Sequence, residues 1–365
     1  MSGAVLNEHA SVALDTYVVD MAWSHDSKSL AIAGGEGAVA LVEDAGGKPK
    51  SRVLGEHGMG AIAVAWRPGT SVVASSGQDS AVVLWDTARA GTNGAATNGN
   101  GKSAVEGAVI KRLRPGTAWT DHLAYSPDGK FLATATGKVI SLWDEAGELA
   151  HKFEPQAATI AALSWDRPGR DLAAATQGAV CIHRVEPPQF TQRRYPWPAA
   201  CLTASFSPNG KVLASGTQDG TVHFWNLTTG KDSQMRGYGS KVTLTDWSAN
   251  SRYLATAAGN DVIVWDFGGK GPEGSAPLEF KGHTERVSAL AFQPNGPWLV
   301  SAGRDWRLSL WQPGQEKVAV DAHLTAGEIT ALRWSPDGKR LAVGESKGRV
   351  TFYDLVSRAA HAKKR

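Results

Sequence analysis

The sequence predicts an all-β chain in which one short unit repeats, and three observations support this prediction. Apolar runs that end on an aromatic residue recur along the 365 residues. Turn-forming segments such as Ser126-Pro-Asp-Gly and Ser335-Pro-Asp-Gly follow several of these aromatic residues. A later run in most copies ends on a pair such as Trp85-Asp86. Regular recurrence of this kind indicates a repeat protein whose units stack into one fold.

The first strand of each copy ends on an aromatic residue, and these residues mark the repeat. They are Trp23, Trp66, Tyr125, Trp165, Phe206, Trp247, Phe292 and Trp334. Neighbouring positions are 40 to 45 residues apart, except for one interval of 59 residues. A unit of this length has room for four short strands and their turns. Because the eight copies cover essentially the whole chain, they predict a single domain over residues 1–365.

Two copies contain four polar side chains that can form a chain of hydrogen bonds. Indole only donates, carboxylate only accepts, and hydroxyl and imidazole can do both. Trp can therefore donate to Ser, Ser to His and His to Asp, with every group satisfied. The two sets are His57, Ser75, Asp79 and Trp85, and His283, Ser301, Asp305 and Trp311. The fifth copy keeps Ser215, Asp219 and Trp225 but has Trp197 at the histidine position, and the third and sixth copies lack the histidine.

These motifs resemble the WD40 repeat, with Gly282-His283 as its GH pair and Trp85-Asp86 as its WD pair. The resemblance implies a β-propeller whose blades each hold four antiparallel strands, and it implies that the two polar sets are structural tetrads. Eight copies predict eight blades. Seven blades is the alternative, because the third run of the first copy, Ala38 to Val42, is weak. The last copy lacks a fourth strand, so we expect a strand near residues 10–15 to complete the last blade and close the ring.

The 59-residue interval contains an insert at residues 87–107 that is rich in Gly, Asn, Ala and Thr. Such a composition cannot bury enough apolar area to offset the entropy of ordering. We therefore predict a flexible surface loop between the second and third blades. The alternative is a binding loop that orders on a partner. The remaining fold is expected to be ordered over about residues 10–356, followed by a solvated tail at residues 357–365.

Composition and charge favour a soluble cytoplasmic protein. The formal net charge of +3 is too small to indicate a nucleic-acid partner by itself. Cys181 and Cys201 lie in different copies, which favours reduced packing residues over a disulfide framework. The N-terminal residues do not pair a basic segment with a long apolar run, so we expect no signal peptide and no membrane association. We expect the chain alone to be monomeric.

Motifs of common enzymes are missing from the sequence. It has no phosphate-binding Gly-x-x-x-x-Gly-Lys-Ser/Thr loop, no Gly-x-Ser-x-Gly elbow and no His-Glu-x-x-His pair. Its ten histidines do not pair with Cys or carboxylates at metal-binding spacing. Asp79, Asp219 and Asp305 share a fixed place in a turn, which indicates hydrogen-bond acceptors for the fold. We therefore expect no catalytic residue, cofactor or metal.

The best functional prediction is a protein-interaction scaffold that presents one rigid propeller face to a peptide or protein partner. The WD40 resemblance implies that partners bind where the inner strands begin, on the side that also carries the turn between second and third strands. Counting back from each aromatic position selects this partner-binding face: Tyr17, Trp119, Asp121, Lys241, Arg286, Arg304, Trp306 and Glu328. Trp and Arg are enriched at interface hot spots. We hypothesise that Trp306 and the nearby cations dock an acidic or aromatic-rich peptide.

Three alternatives stay open at this point. In the first alternative, Trp306 packs on a neighbouring blade and the arginines are solvated without a partner. In the second alternative, the chain is an enzyme or a small-molecule binder that uses the central channel. Three or more Asp, Glu or His residues lining the channel would favour it. The same counting places only Asp121 and Glu328 there. In the third alternative, the local basic patch of Lys241, Arg286 and Arg304 binds nucleic acid. The affinity would then depend strongly on salt concentration.

Overall fold

The structure, a computed structural model, describes residues 3–44, 47–89, 96–97, 103–104, 108–269, 271–315 and 318–358. These residues are almost entirely β-strands and turns, as the repeat predicted. They form eight antiparallel sheets, the blades, and one separate pair of very short strands. Within the described ranges, no helix is long and apolar enough to cross a bilayer.

Each blade follows chain order from its inner to its outer strand, except that the first strand of the chain, β1 (Ala4–Ala13), lies in blade eight. Blade one holds β2 (Val18–Trp23), β3 (Ser29–Gly34), β4 (Ala38–Asp44) and β5 (Pro49–Glu56). Blade two holds β6 (Ala61–Trp66), β7 (Val72–Gly77), β8 (Val82–Asp86) and, after the short pair β9 (Ala96–Thr97) and β10 (Ser103–Ala104), β11 (Val109–Leu113). Blade three holds β12 (Thr120–Tyr125), β13 (Leu132–Thr136), β14 (Val139–Trp143) and β15 (Leu149–Lys152). Blade four holds β16 (Ala162–Trp165), β17 (Asp171–Glu186) and β18 (Gln189–Ala200).

The second half of the ring repeats this order. Blade five holds β19 (Ser205–Phe206), β20 (Val212–Gly216), β21 (Val222–Asn226) and β22 (Asp232–Met235). Blade six holds β23 (Leu244–Trp247), β24 (Tyr253–Ala258), β25 (Asp261–Asp266) and β26 (Leu278–Phe280). Blade seven holds β27 (Val287–Phe292), β28 (Leu299–Gly303), β29 (Arg307–Trp311) and β30 (Asp321–Leu324). Blade eight holds β31 (Ile329–Trp334), β32 (Arg340–Glu345), β33 (Arg349–Ser357) and β1. The prediction of eight blades is confirmed.

Blade four reaches four strands in a different way from the others. Its segment β17 is long because it is a hairpin in itself: Val185 N donates to Arg170 O, which folds the second half back onto the first. The reversal lies at Gln177-Gly178, and Gly178 adopts the left-handed backbone conformation that glycine tolerates (φ 79°). The two halves of β17 are therefore the second and third strands of this blade.

The second strands are the most buried because a neighbouring blade covers each of their two faces. All five residues of β13 and all five of β28 are buried. Their sequences, LATAT and LVSAG, are small or apolar throughout, as expected for strands without a solvent face. The core is therefore divided into layers between blades rather than gathered at one centre.

The two ends of the chain meet in blade eight. Strand β1 pairs antiparallel with β33, and the register places Ala4 opposite Ser357 and Ala13 opposite Arg349. Inner strands of successive blades contact each other all the way round, including β31 with β2. The outer strand begins at Ala4, earlier than the residues 10–15 expected from the sequence, because Ala4 and Leu6 are buried in the apolar layer between blades seven and eight.

Tryptophans at the repeat positions also join neighbouring blades. The indole Nε1 of Trp23 donates to Arg333 O (2.9 Å), which links blade one to blade eight. Trp165 makes the same bond to Ala124 O in the preceding blade (3.0 Å). Trp334 and Trp247 repeat it at 3.3 and 3.4 Å. Trp66 differs, because its indole donates to Thr70 O within its own blade (2.8 Å).

Two predictions concern segments that are largely outside the described residues. Of the predicted insert at residues 87–107, the structure describes residues 87–89 and the short strands β9 and β10, which pair with each other. The other residues of the insert lie outside the described ranges, as does the predicted tail beyond residue 358.

Candidate protein-binding face

The two polar sets form hydrogen-bonded chains inside blades two and seven. In blade seven the indole of Trp311 donates to Ser301 Oγ (2.8 Å), and that hydroxyl lies 2.8 Å from His283 Nε2. His283 Nδ1 lies 3.1 Å from the Asp305 carboxylate. The corresponding distances in blade two, from Trp85 through Ser75 and His57 to Asp79, are 2.8, 2.8 and 2.9 Å. The Asp carboxylate also accepts the next backbone N–H, from Thr284 or Gly58, and so fixes the loop leading into the blade.

Electrostatics keep the imidazole of blade two neutral at pH 7. Burial lowers the pKa of His57, although the hydrogen bond to Asp79 acts in the opposite direction. For Asp79, burial raises the pKa, but the hydrogen bonds from His57 and from the N–H groups of Ala81 and Gly58 outweigh it and leave the pKa lowered. A neutral imidazole that donates through Nδ1 to an ionised carboxylate satisfies each member of the chain.

Blade six contains a related chain that counting histidines did not reveal. The indole of Trp265 donates to the phenol oxygen of Tyr238 (2.7 Å), which lies 2.8 Å from Thr256 Oγ1. Tyr238 precedes Trp247 by nine residues, the spacing that separates His57 from Trp66. A search at this offset for any side chain able to donate and accept would have found it, because phenol and imidazole share that property.

In five blades a backbone hydrogen bond joins the start of the inner strand to the turn between the second and third strands. Arg304 N donates to Arg286 O (2.9 Å), and in blade eight Ser346 N donates to Glu328 O (2.9 Å). The same bond joins Gly35 to Tyr17 (3.0 Å) and recurs in blades two and five. It ties the start of the inner strand to the turn between second and third strands, so both sets of positions belong to one rim of the ring.

Aromatic side chains on this rim are open to solvent. Tyr17, Trp119 and Trp306 are 47%, 50% and 46% exposed. Met59, just before the inner strand of blade two, is 54% exposed and was not among the predicted residues. Large side chains that the fold leaves half uncovered on one side of a propeller are candidate interface anchors. Trp306 keeps about half of its surface exposed, while Lys347 of blade eight lies 5.9 Å from the centre of its ring.

Trp306 occupies a backbone position that favours glycine. Its φ is +63°, and the equivalent residues include Gly37, Gly220, Gly348 and Ser80, all with positive φ. In this conformation the Trp306 carbonyl accepts the backbone N–H of Thr325, which directly follows the outer strand of the same blade (2.9 Å). For a bulky L-residue the left-handed region costs about 1–2 kcal/mol relative to a relaxed backbone. The indole is therefore an addition that the turn itself does not need.

The charged members of the predicted face lie mostly on blades six to eight. Arg304 Nε and Glu328 Oε1 form an ion pair of 2.8 Å across blades seven and eight. Arg286 reaches towards blade six, where its Nη2 lies 3.4 Å from Thr243 Oγ1, two residues beyond Lys241. Asp121 does not join them, because it lies on β12 in blade three. The predicted residues thus divide into two groups: Tyr17, Trp119 and Asp121 on blades one and three, and Lys241, Arg286, Arg304, Trp306 and Glu328 on blades six to eight.

Ionisable groups also occur along the inner strands, and most of them were missed by counting offsets. Asp246 Oδ2 accepts the backbone N–H of Phe292 in the next blade (2.6 Å), and burial raises the pKa of this carboxyl to about 6. Asp20 accepts the N–H of Val64 (3.1 Å) and binds Arg333 (2.6 Å). These acids tie blades together. Among the described residues, no group of three or more His, Cys, Asp or Glu is placed to hold a metal ion.

The comparison with protein families agrees with this architecture. The model for "WD domain, G-beta repeat" matches residues 48–86, 112–144, 196–226 and 274–312, which are blades two, three, five and seven with adjoining segments. The chain belongs to the WD40-repeat family. A model for the "Anaphase-promoting complex subunit 4 WD40 domain" matches residues 311–363. The repeats recognised by the first model include both WD40 tetrads.

Relatives among curated proteins are similar over most of this WD40 chain. The "Anaphase-promoting complex subunit cdc20" of Dictyostelium discoideum is 25% identical over 82% of this chain and 49% of its own length. The "Anaphase-promoting complex subunit cdh1" of the same organism is 27% identical over 81% of this chain and 36% of its own. "WD repeat-containing protein slp1" of Schizosaccharomyces pombe is 25% identical, over 81% and 50%. The chain spans about half or less of the length of these relatives.

Proposed function

We propose that this WD40 propeller is a non-catalytic scaffold that binds a protein partner through the rim carrying Tyr17, Trp119 and Trp306. The observation that carries this proposal is the half-exposed state of all three rings on that one rim. Aromatic side chains supply large contact area and lose little conformational freedom on binding, so they dominate interface energetics. The tetrads and the ring of inter-blade bonds hold the rim rigid, which reduces the entropic cost of association.

The relatives support a protein-binding role at a coarser level. Two of them are named as subunits of the anaphase-promoting complex, which places those proteins in a multi-protein assembly. We infer for this chain only that it too works by assembling with other proteins. A cytoplasmic location and a monomeric state of the free chain stay predictions.

Substituting the three aromatic residues together tests the proposal. The variant Tyr17→Ala/Trp119→Ala/Trp306→Ala is used as bait in lysate of the source cell, beside the wild type, and captured proteins are quantified by mass spectrometry. We expect the captured amount of the proteins specific to the wild type to fall at least tenfold, because each aromatic anchor contributes more than about 1 kcal/mol to binding.

A matched control removes apolar surface elsewhere. Ile110, Leu149 and Val318 are 47%, 51% and 64% exposed, and they belong to outer strands or to the loop before one. The variant Ile110→Ala/Leu149→Ala/Val318→Ala should retain the wild-type partners. Equal capture by both variants and the wild type would contradict a partner-binding role for this rim.

A further inference from the structure

The charges on blades six to eight define the partner more narrowly. We infer that an arc formed by Lys241, Arg286, Arg304, Lys347 and Trp306 binds an extended acidic protein segment, with one apolar side chain of that segment against the Trp306 ring. This inference rests on the proposed function, since it concerns one sector of the same rim. We call these five residues the cationic arc.

Hydrogen bonds, a ring contact and chain neighbours place the members of the cationic arc along one rim. The Arg286 guanidinium lies over blade six beside Thr243, close in sequence to Lys241. The backbone of Arg286 accepts a hydrogen bond from Arg304. On the far side, Lys347 Nζ lies 5.9 Å from the centre of the Trp306 ring, within the range of a cation–π contact. A bound segment could therefore touch all five residues without leaving the rim.

The arc has cationic groups that the fold does not neutralise. Lys241, Arg286, Arg304 and Lys347 are all exposed. In the described part of the chain, Lys241 and Arg286 take part in no ion pair, while Arg304 is engaged by Glu328. Carboxylates from a partner would complement the first two directly and would compete with Glu328 for the third. Such complementarity raises the association rate and selects acidic partners.

The conformation of Trp306 argues that its ring serves binding. The turn needs a left-handed residue so that the carbonyl can reach Thr325 N, and three other blades use glycine there. An aromatic ring at this position strains the backbone while remaining half exposed. Local rules of this kind are broken mainly at functional sites. The ring, with Lys347 beside it, offers an apolar surface at the end of a basic strip.

A protein segment fits the arc better than nucleic acid does. Proteins that bind a DNA duplex commonly neutralise about six or more phosphate groups. The arc has four cations, one of which pairs with the Glu328 carboxylate, and the exposed Glu285 precedes Arg286 in the chain. The chain as a whole carries a formal charge of only +3. A peptide with two or three carboxylates along an extended backbone matches this surface. A nucleic acid would instead place its continuous run of phosphates over Glu328 and Glu285.

A random peptide library tests the inference with a defined probe. Twelve-residue peptides displayed on phage are selected on the immobilised full chain at 150 mM salt, and the enriched sequences are read. We expect at least two Asp or Glu within about six residues, followed or preceded by an aromatic or aliphatic residue. The affinity of one enriched peptide is then measured by fluorescence anisotropy for the wild type and its variants.

Charge variants should shift this affinity in opposite directions. Lys241→Glu/Arg286→Glu should weaken binding at least tenfold, because attraction becomes repulsion. Glu328→Gln should strengthen it about threefold by releasing Arg304. Enriched peptides with no acidic bias, an unchanged affinity in both variants, or no enrichment at all would overturn the inference. Binding of random oligonucleotides that depends on Lys241 and Arg286 would assign the arc to nucleic acid instead.

Trp306→Gly separates binding from folding. Glycine suits the positive φ, so the variant should keep the melting temperature of the wild type or exceed it, yet bind the peptide about tenfold more weakly. Ser80→Gly makes the same change in the equivalent turn of blade two and should leave the affinity unchanged. Loss of lysate partners in the triple aromatic variant together with no acidic preference would leave the proposed scaffold intact and reject only the acidic segment.

Discussion

Blades two and seven differ from blades four and five in what fills the space around the third-strand aromatic position. In the first pair, a chain of four polar groups joins the buried Trp to a turn carboxylate. Blade four has His183 at that position, packed 4.4 Å from the Phe153 ring. Blade five keeps Trp225, but Trp197 replaces the tetrad histidine and stacks on His223 (3.9 Å).

The difference shows that the blade geometry does not require the tetrad. Packed rings maintain the same sheet where the polar chain is incomplete, because dispersion and apolar burial can replace directional bonds. The two solutions respond differently to perturbation. A buried hydrogen-bond chain is costly to interrupt, since each orphaned group keeps its desolvation cost. A buried histidine among rings is instead sensitive to protonation.

The largest effect is expected from interrupting the polar chain in the middle. Ser301→Ala leaves both the Trp311 indole and His283 Nε2 without a partner, and should lower the free energy of unfolding by about 4 kcal/mol, at about 2 for each orphaned group. Ser215→Ala is the matched control, because that hydroxyl bonds to the neighbouring Gly216 O (3.2 Å) and to the Cys201 thiol rather than to an indole and an imidazole, and should cost about 1 kcal/mol. Equilibrium urea unfolding measures both. Equal losses would mean that the tetrad adds nothing to the blade.

Acidification should destabilise blade four, where His183 is buried among aromatic rings. Burial lowers the pKa of His183 to about 4, and neither ring nitrogen has a hydrogen-bond partner among the described residues. The unfolded chain takes up this proton near pH 6.5, whereas the folded chain does so only near pH 4. Stability from this group is therefore complete above pH 6.5 and is lost as the pH falls through that window, by about 3 kcal/mol in total.

The variant His183→Phe isolates this contribution. Phenylalanine keeps the ring contact but cannot bind a proton, so its free energy of unfolding should change less between pH 7 and pH 4 than that of the wild type. Urea unfolding at half-unit pH steps gives both profiles. Parallel profiles would show that His183 does not titrate differently in the folded and unfolded chains.

The architecture was predictable from the sequence because it rests on local, repeated signals. The aromatic positions recur at nearly constant spacing, and complete tetrads stand at fixed offsets from Trp66 and Phe292. What was missed depends on tertiary structure. Tyr238 fills a histidine position because its hydroxyl has the required bonding, not because its shape is similar. The hairpin in β17 carries weak turn signals, so the repeat pattern did not reveal it.

The rim position of the candidate face residues was predictable from the offsets, whereas their partner-binding role stays a prediction. Offsets placed Trp306 and Arg304 on one rim, as the structure shows. They could not reveal that the Trp306 carbonyl accepts a hydrogen bond from Thr325, just beyond the outer strand of its own blade, or that Trp306 has a positive φ. They also could not show that Glu328 engages Arg304, because that ion pair joins separate blades. Contacts between copies are not encoded within a single copy.

Blade six tests whether a phenol substitutes fully for the histidine. Tyr238→Phe removes the oxygen that accepts from Trp265 and should cost about 2 kcal/mol, the usual range for one orphaned buried donor. Burial raises the pKa of Tyr238 to about 12, so the phenol is neutral and able to donate as well as accept across the working pH range. Urea unfolding measures the loss.

The control for blade six is Tyr195→Phe. Tyr195 is buried in blade four, and its phenol makes no hydrogen bond to the described residues, so the substitution should cost less than about 0.5 kcal/mol. A loss for Tyr238→Phe no greater than this would mean that ring packing, rather than the hydrogen bond, supports blade six. Blade six would then group with blades four and five instead of with two and seven.

The smallest effect concerns bonds between blades. Trp23→Phe removes the indole bond to Arg333 O at the junction where the ring closes, and should cost about 1 kcal/mol. Trp66→Phe is matched in chemistry, but its indole bonds only within blade two. Hydrogen exchange read by mass spectrometry distinguishes them: the first variant should lose protection in β31 and β2 together, because opening that junction frees both strands. The second should lose it in blade two alone. If Trp23→Phe affected only blade one, the closing bond would contribute to its own blade and not to the ring.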